Sequence, residues 1–159
     1  MSTAPMTPRG HARLHEMLRH LREVERPQNV RDIEEARAHG DLRENAEYHA
    51  AKDRQGHIDG QMKHLESLIS TAQVIDPATL SGDRVIFGAT VEVLDVDDES
   101  AEPMTYQIVG EHESDLTKGL ISYASPIAKA LIGKVVGDEV AVHTPRGRRT
   151  VVIEAVRFQ

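Results

Sequence analysis

The 159-residue chain contains no cysteine and no tryptophan, and aromatic residues make up only 3 % of it. Each shortage removes a class of function. Without cysteine there is no disulfide framework and no thiolate metal site, so zinc fingers are excluded. The few aromatics leave no stacking platform of the kind that holds single-stranded nucleic acid. No run approaches the ~18 apolar residues of a membrane-spanning helix. The start, Met1-Ser2-Thr3-Ala4-Pro5-Met6-Thr7-Pro8, lacks the apolar stretch of a signal peptide. A soluble, cytoplasmic protein with no membrane partner is expected. Basic charge is also short, with 19 basic against 26 acidic residues and a net charge of -7. Proteins that grip nucleic acid nonspecifically are usually basic, because affinity comes from neutralising phosphates. The deficit is uneven: 11 basic and 12 acidic residues stand through Ile75, and 8 basic and 14 acidic after it. A protein partner is expected, with little direct DNA binding.

What is present divides in two. From Thr7 to Ala72 apolar residues recur at helical spacing. Ala51, Gln55, Ile58, Met62, Leu65, Ile69 and Ala72 follow a 4-3-4-3-4-3 heptad seam with one polar member. A helix from Arg43 to Ala72 would be about 45 Å long at ~1.5 Å per residue. Gly56 and Gly60 weaken it by up to ~1 kcal/mol each relative to alanine. Earlier, Leu14, Met17, Leu21 and Val24 form a seam that resumes, shifted, at Val30, Ile33 and Arg37. Pro27 lacks a backbone donor, so a kink or break is expected there. His39-Gly40-Asp41-Leu42 is a short turn, which makes the two helices antiparallel neighbours. After Asp76-Pro77 the pattern alternates, at Thr90–Val96, Thr105–Val109, Glu139–His143 and Arg149–Val156, as half-buried strands do. Ser125-Pro126 opens one short helix from Ile127 to Leu131, with serine as N-cap and proline at the first position. The expected class is α+β. An N-terminal antiparallel α-helical coiled-coil hairpin spans residues 1–76, a linker 77–82, and an antiparallel β-sheet domain with one helix 83–159.

The residues that invite a function lie in the turn, Gly40-Asp41-Leu42-Arg43-Glu44-Asn45-Ala46-Glu47-Tyr48. Two carboxylates three positions apart at a helix start can converge on one point, and carboxylate oxygens are the ligands magnesium prefers. The same Asp-x-x-Glu spacing is also a capping box, and acidic first-turn residues suit the helix dipole. By spacing alone capping is the ordinary explanation. The nine histidines read as solvated surface, including His11 and His15, which are four apart; a zinc site needs three or four ligands and no third can be placed. Arg146-Gly147-Arg148-Arg149 reads as a solvated hairpin turn.

The longer string His39–Lys52, HGDLRENAEYHAAK, closely resembles the tip of the Gre family of transcript cleavage factors, which are transcription elongation factors. The resemblance continues at Met6-Thr7 through Gly10 and Leu14, at Ala72–Asp76, at Arg84–Val91, which looks like the first strand of the family's second domain, and at Ser125–Lys134. It covers nearly the whole chain and is nearest the GreA type, since no basic hairpin patch stands out. It implies an FKBP-like second domain that docks on bacterial RNA polymerase near its secondary channel, and a hairpin that enters the channel. The tip would share a magnesium ion with the polymerase active site and stimulate cleavage of the 3′ end of backtracked nascent RNA. Asp41 and Glu44 match the family's acidic pair, and Asn45 and Tyr48 would support the tip. Ser122, Ser125 and Pro126 would face the polymerase. On this reading the chain is not itself an enzyme and binds no cofactor stably alone. Two other readings differ in class. One is a channel-binding regulator that inhibits polymerase without cleavage, which intact Asp41 and Glu44 argue against. The other is a prolyl isomerase, which two Phe and three Tyr equip poorly, and fold alone does not carry function.

Overall fold

The computed structural model describes residues 3–41, 45–144 and 147–159. They form two compact units. His11–Ala72 make the first; Thr3–Gly10 with Gln73–Gln159 make the second.

In the first unit, helix α1 (Pro8–His20), which begins in the second unit, leads through a π-helical turn (Leu21–Glu25) into α2 (Arg26–Arg37), and α3 (Ala46–Ser70) returns beside it. The chain does not break at Pro27. The π turn, closed by the Arg26 amide donating to the Leu21 carbonyl, adds the extra residue. Pro27 then stands in the first turn of α2, where no amide is required. This insertion moves the first seam from its expected place. Leu14, Leu18, Leu21, Asn29, Ile33 and Ala36 are buried, whereas Met17, Val24 and Val30 are exposed. On α3 the expected seam holds as far as Ile69, with Ala51, Ile58, Met62 and Leu65 buried and Gln55 and Ile69 half-buried; Ala72, its last expected member, lies beyond the helix in a strand. Gly56 and Gly60 lie on its exposed face.

The buried polar member of the joint is Asn29, 1 % exposed, whose amide donates to the Ala51 carbonyl at 2.9 Å. Such a bond fixes register, because sliding the helices would leave a buried amide unpaired. Arg54–Glu25 at 2.8 Å, Arg22–Glu66 at 3.6 Å and Arg26–Asp59 at 3.8 Å line the seam with exposed ion pairs. These add little stability compared with the apolar stripe they flank.

The second unit is a curled five-stranded sheet in the order β5-β4-β3-β7-β6. Its strands are β3 (Thr90–Asp95), β4 (Met104–Val109), β5 (Leu120–Ser122), β6 (Glu139–Thr144) and β7 (Gly147–Arg157). Four of the five coincide with the alternating runs. The sheet is mixed rather than wholly antiparallel, because the three-residue β5 pairs parallel to β4. So short a strand carries too little alternation to read. The expected first strand at Arg84–Val91 begins only at Thr90. Before it, Val85 and Ala89 enter the core, the Val85 amide donating to the Lys134 carbonyl and the Val85 carbonyl accepting from the Gly133 amide, both at 2.8 Å. Helix α4 (Pro126–Leu131) covers the sheet with Ala128 and Leu131, and the Ser125 hydroxyl caps it by accepting from the Ala128 amide at 3.3 Å.

The chain start differs from the expected hairpin boundary. β1 (Ala4–Met6) pairs with β2 (Ala72–Val74), and the Ile75 amide donates to the Met6 carbonyl at 2.9 Å. The Glu113 carboxylate accepts from the Thr7 amide at 3.0 Å, from the Gly110 amide at 2.7 Å and from the Thr7 hydroxyl. The Thr7 hydroxyl in turn accepts from the Gly10 amide at 3.2 Å and caps α1. A Cβ at Gly10 would overlap the Glu113 carboxyl group. Three donors on one half-buried carboxylate make Glu113 the anchor of the N-terminal segment. Glu113→Ala should lower stability by about 2–3 kcal/mol, the cost of orphaning donors to a charged acceptor, measured as a shift in urea midpoint at unchanged slope. Gly10→Ala should be destabilising in the same assay by steric overlap alone.

Candidate functional site

Helix α2 ends at Arg37, and the Ala38, His39 and Gly40 amides donate to the Glu34, Ala36 and Arg37 carbonyls at 3.2–3.3 Å. Gly40 takes a φ of +106°, a conformation that only glycine adopts without strain, and so turns the chain. Asp41 follows and is exposed at the closed end of the hairpin. Glu44, the other candidate carboxylate, lies outside the described residues.

The N-cap of α3 is Asn45, four residues after Asp41, whose side-chain oxygen accepts from the Tyr48 amide at 3.1 Å. The expected start of the helix at Arg43 moves to Ala46 for that reason. The Asn45 side-chain nitrogen donates to the Ala36 carbonyl at 2.6 Å. One amide group thus joins the last turn of α2 to the first turn of α3, adding a second donor to the Ala36 carbonyl and satisfying a free amide of α3.

Tyr48 is half-buried beside this bridge. The Arg37 guanidinium stands 6.0 Å from its ring centroid, and the His49 ring meets it edge-on at 5.7 Å. His39 Nδ1 lies 3.3 Å from a Glu47 carboxylate oxygen, an ion pair when the imidazole is protonated. Arg37, His39 and Glu47 therefore belong to the brace. The sequence reading had placed Arg37 in the buried seam and given His39 and Glu47 no role. Their signal was positional: Arg37 and His39 lie just before the Gly40 bend and Glu47 in the first turn of α3.

The chemistry open to this end of the hairpin is that of exposed oxygen ligands. Asp41 offers a carboxylate that solvent and an incoming group can both reach, which suits a hard cation. Among the described residues no group of three His, Asp or Glu side chains is placed to hold a metal ion.

The other expected site residues lie in the second unit. The Ser122 hydroxyl, at the end of β5, accepts from the Ala124 amide at 3.1 Å, and Ser125 caps α4. Pro126 is exposed. Both serines thus have local structural work, and the exposed Pro126 ring is the part of this trio most open to a partner. The same unit carries a cleft of about 600 Å³ lined by Val93, Tyr106, Ile127, Leu131 and Val142, with Asp95 and Glu102 also lining it. Burial pushes the Tyr106 phenol above its usual pKa. Tyr106 is the aromatic member of the lining, so the cleft is aliphatic in character. Among the described residues no helix is long and apolar enough to cross a membrane.

Known proteins resemble this chain over nearly its whole length. The family description "Transcription elongation factor, N-terminal" matches residues 4–74, and "Transcription elongation factor, GreA/GreB, C-term" matches residues 80–158. The chain is 58 % identical over 158 residues to the transcription elongation factor GreA of Rhodospirillum rubrum, covering 99 % of both chains. It is 56 % identical over the same length, at the same coverage, to that of Acidiphilium cryptum. Among solved structures, GreA factor homolog 1 of Thermus thermophilus is 29 % identical with a TM-score of 0.43, covering 98 % of this chain and 99 % of that one. On the two family matches and the full-length identities, the chain belongs to the GreA/GreB family of transcription elongation factors.

Proposed function

We propose that this chain enters the secondary channel of bacterial RNA polymerase and stimulates the polymerase's own magnesium-dependent cleavage of the 3′ end of backtracked RNA. The observation that carries this reading is Asp41, exposed at the closed end of the hairpin, beyond a helix whose cap is already supplied by Asn45. An exposed carboxylate at that place is within reach of a cation brought by another molecule. Helix α3 alone, with 25 residues, is about 37 Å long at ~1.5 Å per residue, a suitable rod for reaching a recessed centre.

Asp41 and Glu44 would hold one face of a magnesium ion that the polymerase grips weakly. When bound, such an ion activates water or stabilises a leaving oxygen in two-metal phosphodiester cleavage. The chain's residues contribute negative charge at a fixed place and bring no nucleophile of their own, so the reaction remains the polymerase's. The near-neutral hairpin offers little electrostatic steering, and the second unit, with Pro126 exposed, is assigned the docking role. The working place of such a factor is the cytoplasm.

A stalled, backtracked elongation complex given this chain and magnesium should yield shortened transcripts that can be re-extended. Unshortened transcripts with the chain bound would instead mark an inhibitor of the channel. The double change Asp41→Asn with Glu44→Gln should abolish nearly all of the stimulation while polymerase binding persists. Both amides lose the charge magnesium requires. Hairpin stability should stay within roughly 1 kcal/mol, as for a mild surface change. Normal cleavage by a folded double variant would refute the role of the pair.

Asn45 is assigned as a positioning residue through its bond to Ala36. Asn45→Ser keeps a good N-cap but cannot also donate across to the α2 carbonyl. Its maximal cleavage rate should fall about tenfold, the effect of losing about 1.4 kcal/mol of transition-state stabilisation. The concentration giving half-maximal rate should not change. An equal loss in apparent binding would assign Asn45 to docking instead.

A further inference from the structure

We infer that His11 and His15 form a chelating site for a borderline divalent cation such as copper(II), nickel or zinc, separate from the oxygen chemistry at the closed end of the hairpin. The two residues stand one turn apart on α1, and their Nε2 atoms are 3.3 Å apart. The ring centroids are 4.5 Å apart, with the planes at 84°. A zinc or copper ion binds imidazole nitrogen at roughly 2.0–2.1 Å. Two such bonds at a tetrahedral angle place the nitrogens about 3.3–3.4 Å apart by simple trigonometry. The bite of the ion therefore matches the spacing in this structure, and the imidazoles need only small rotations to aim both lone pairs at one point.

The backbone does the preorganising. Positions i and i+4 share a helix face, and the Thr7 hydroxyl caps the helix just before the pair. In the structure the two nitrogens satisfy each other as donor and acceptor, an arrangement that requires at least one imidazole to be neutral. A cation takes the place of that hydrogen bond: the donor ring carries its proton on Nδ1 instead, and both Nε2 lone pairs face the ion. His15 is exposed and His11 half-buried, so an ion reaches them directly and water completes its shell. Two protein ligands make a modest site rather than a structural one. Imidazole donors rank copper(II) above nickel and zinc and take magnesium poorly, so the cation that suits Asp41 does not compete here. Because both rings must be oriented as the helix holds them, a bound ion staples the opening turns of α1 and favours the folded chain.

The test uses the full chain without an affinity tag, stripped with chelator, and titrated with copper(II) or zinc alone at pH 7.5. Calorimetry should show one ion bound, with a rise in melting temperature that grows with metal concentration. His11→Ala and His15→Ala each leave one ligand and should weaken this binding by about tenfold or more, while leaving the metal-free melting curve close to that of the parent. The histidine NMR signals of residues 11 and 15 should move first on titration. Binding that survives both substitutions undiminished would place the ion at another of the nine histidines and overturn the inference. Absence of binding by the parent chain at millimolar metal would overturn it as well.

Discussion

Everything at the far end of this protein depends on one joint, the burial of two apolar helix stripes against each other. Neither stripe has another place to go within the first unit, and an isolated helix of this length is marginal in water. Ile33 and Ala36 on α2 and Leu21 in the π turn are buried on elements that pack beside α3, which buries Ala51, Ile58, Met62 and Leu65. Each such side chain contributes on the order of 1.5–3 kcal/mol when fully buried, so the joint outweighs the exposed ion pairs along its edge. The apolar contacts are nearly indifferent to a slide by one heptad. Asn29, bonded to the Ala51 carbonyl, is not. Hydrophobic burial makes the rod, and a single buried amide sets where along it the closing turn falls.

At the turn the same logic repeats on a smaller scale. Asn45 occupies both hydrogen-bonding ends of its amide, one on each helix. Two helix ends that would otherwise face water are joined, which leaves Asp41 in the connection and outside the helices. A carboxylate carried this way is exposed yet held on a stiff support, the combination needed to complete a metal site belonging to another molecule. Tyr48, packed against Arg37, thickens the support.

The sequence made the α3 seam, the Gly40 turn, four strands and the Ser125 cap legible because each rests on a local rule: heptad spacing, positive φ, alternation, a capping hydroxyl. It misplaced the first seam because a π turn adds one residue without any marker beyond Pro27. It missed β1, β2 and β5, three residues each, since strands so short exist only through their partners. The capping box at Asp41 and Glu44 falls partly outside the described residues, and the N-cap of α3 is Asn45, whose amide also reaches α2. The role of Glu113, a loop residue 106 positions from Thr7, depends on a long-range meeting that no periodicity announces. The pairing of Asp41 with Glu44 as a site rests on the likeness of a long string of residues rather than on spacing.

The central claim is that the hairpin supplies missing ligands to a magnesium ion. The direct measurement is the rate of transcript cleavage in a stalled, backtracked complex as a function of magnesium concentration, with and without saturating amounts of the chain. The account predicts a faster rate and a lower half-saturating magnesium concentration when the chain is present. A rate increase with no change in the magnesium requirement, or no increase at any concentration, would contradict it.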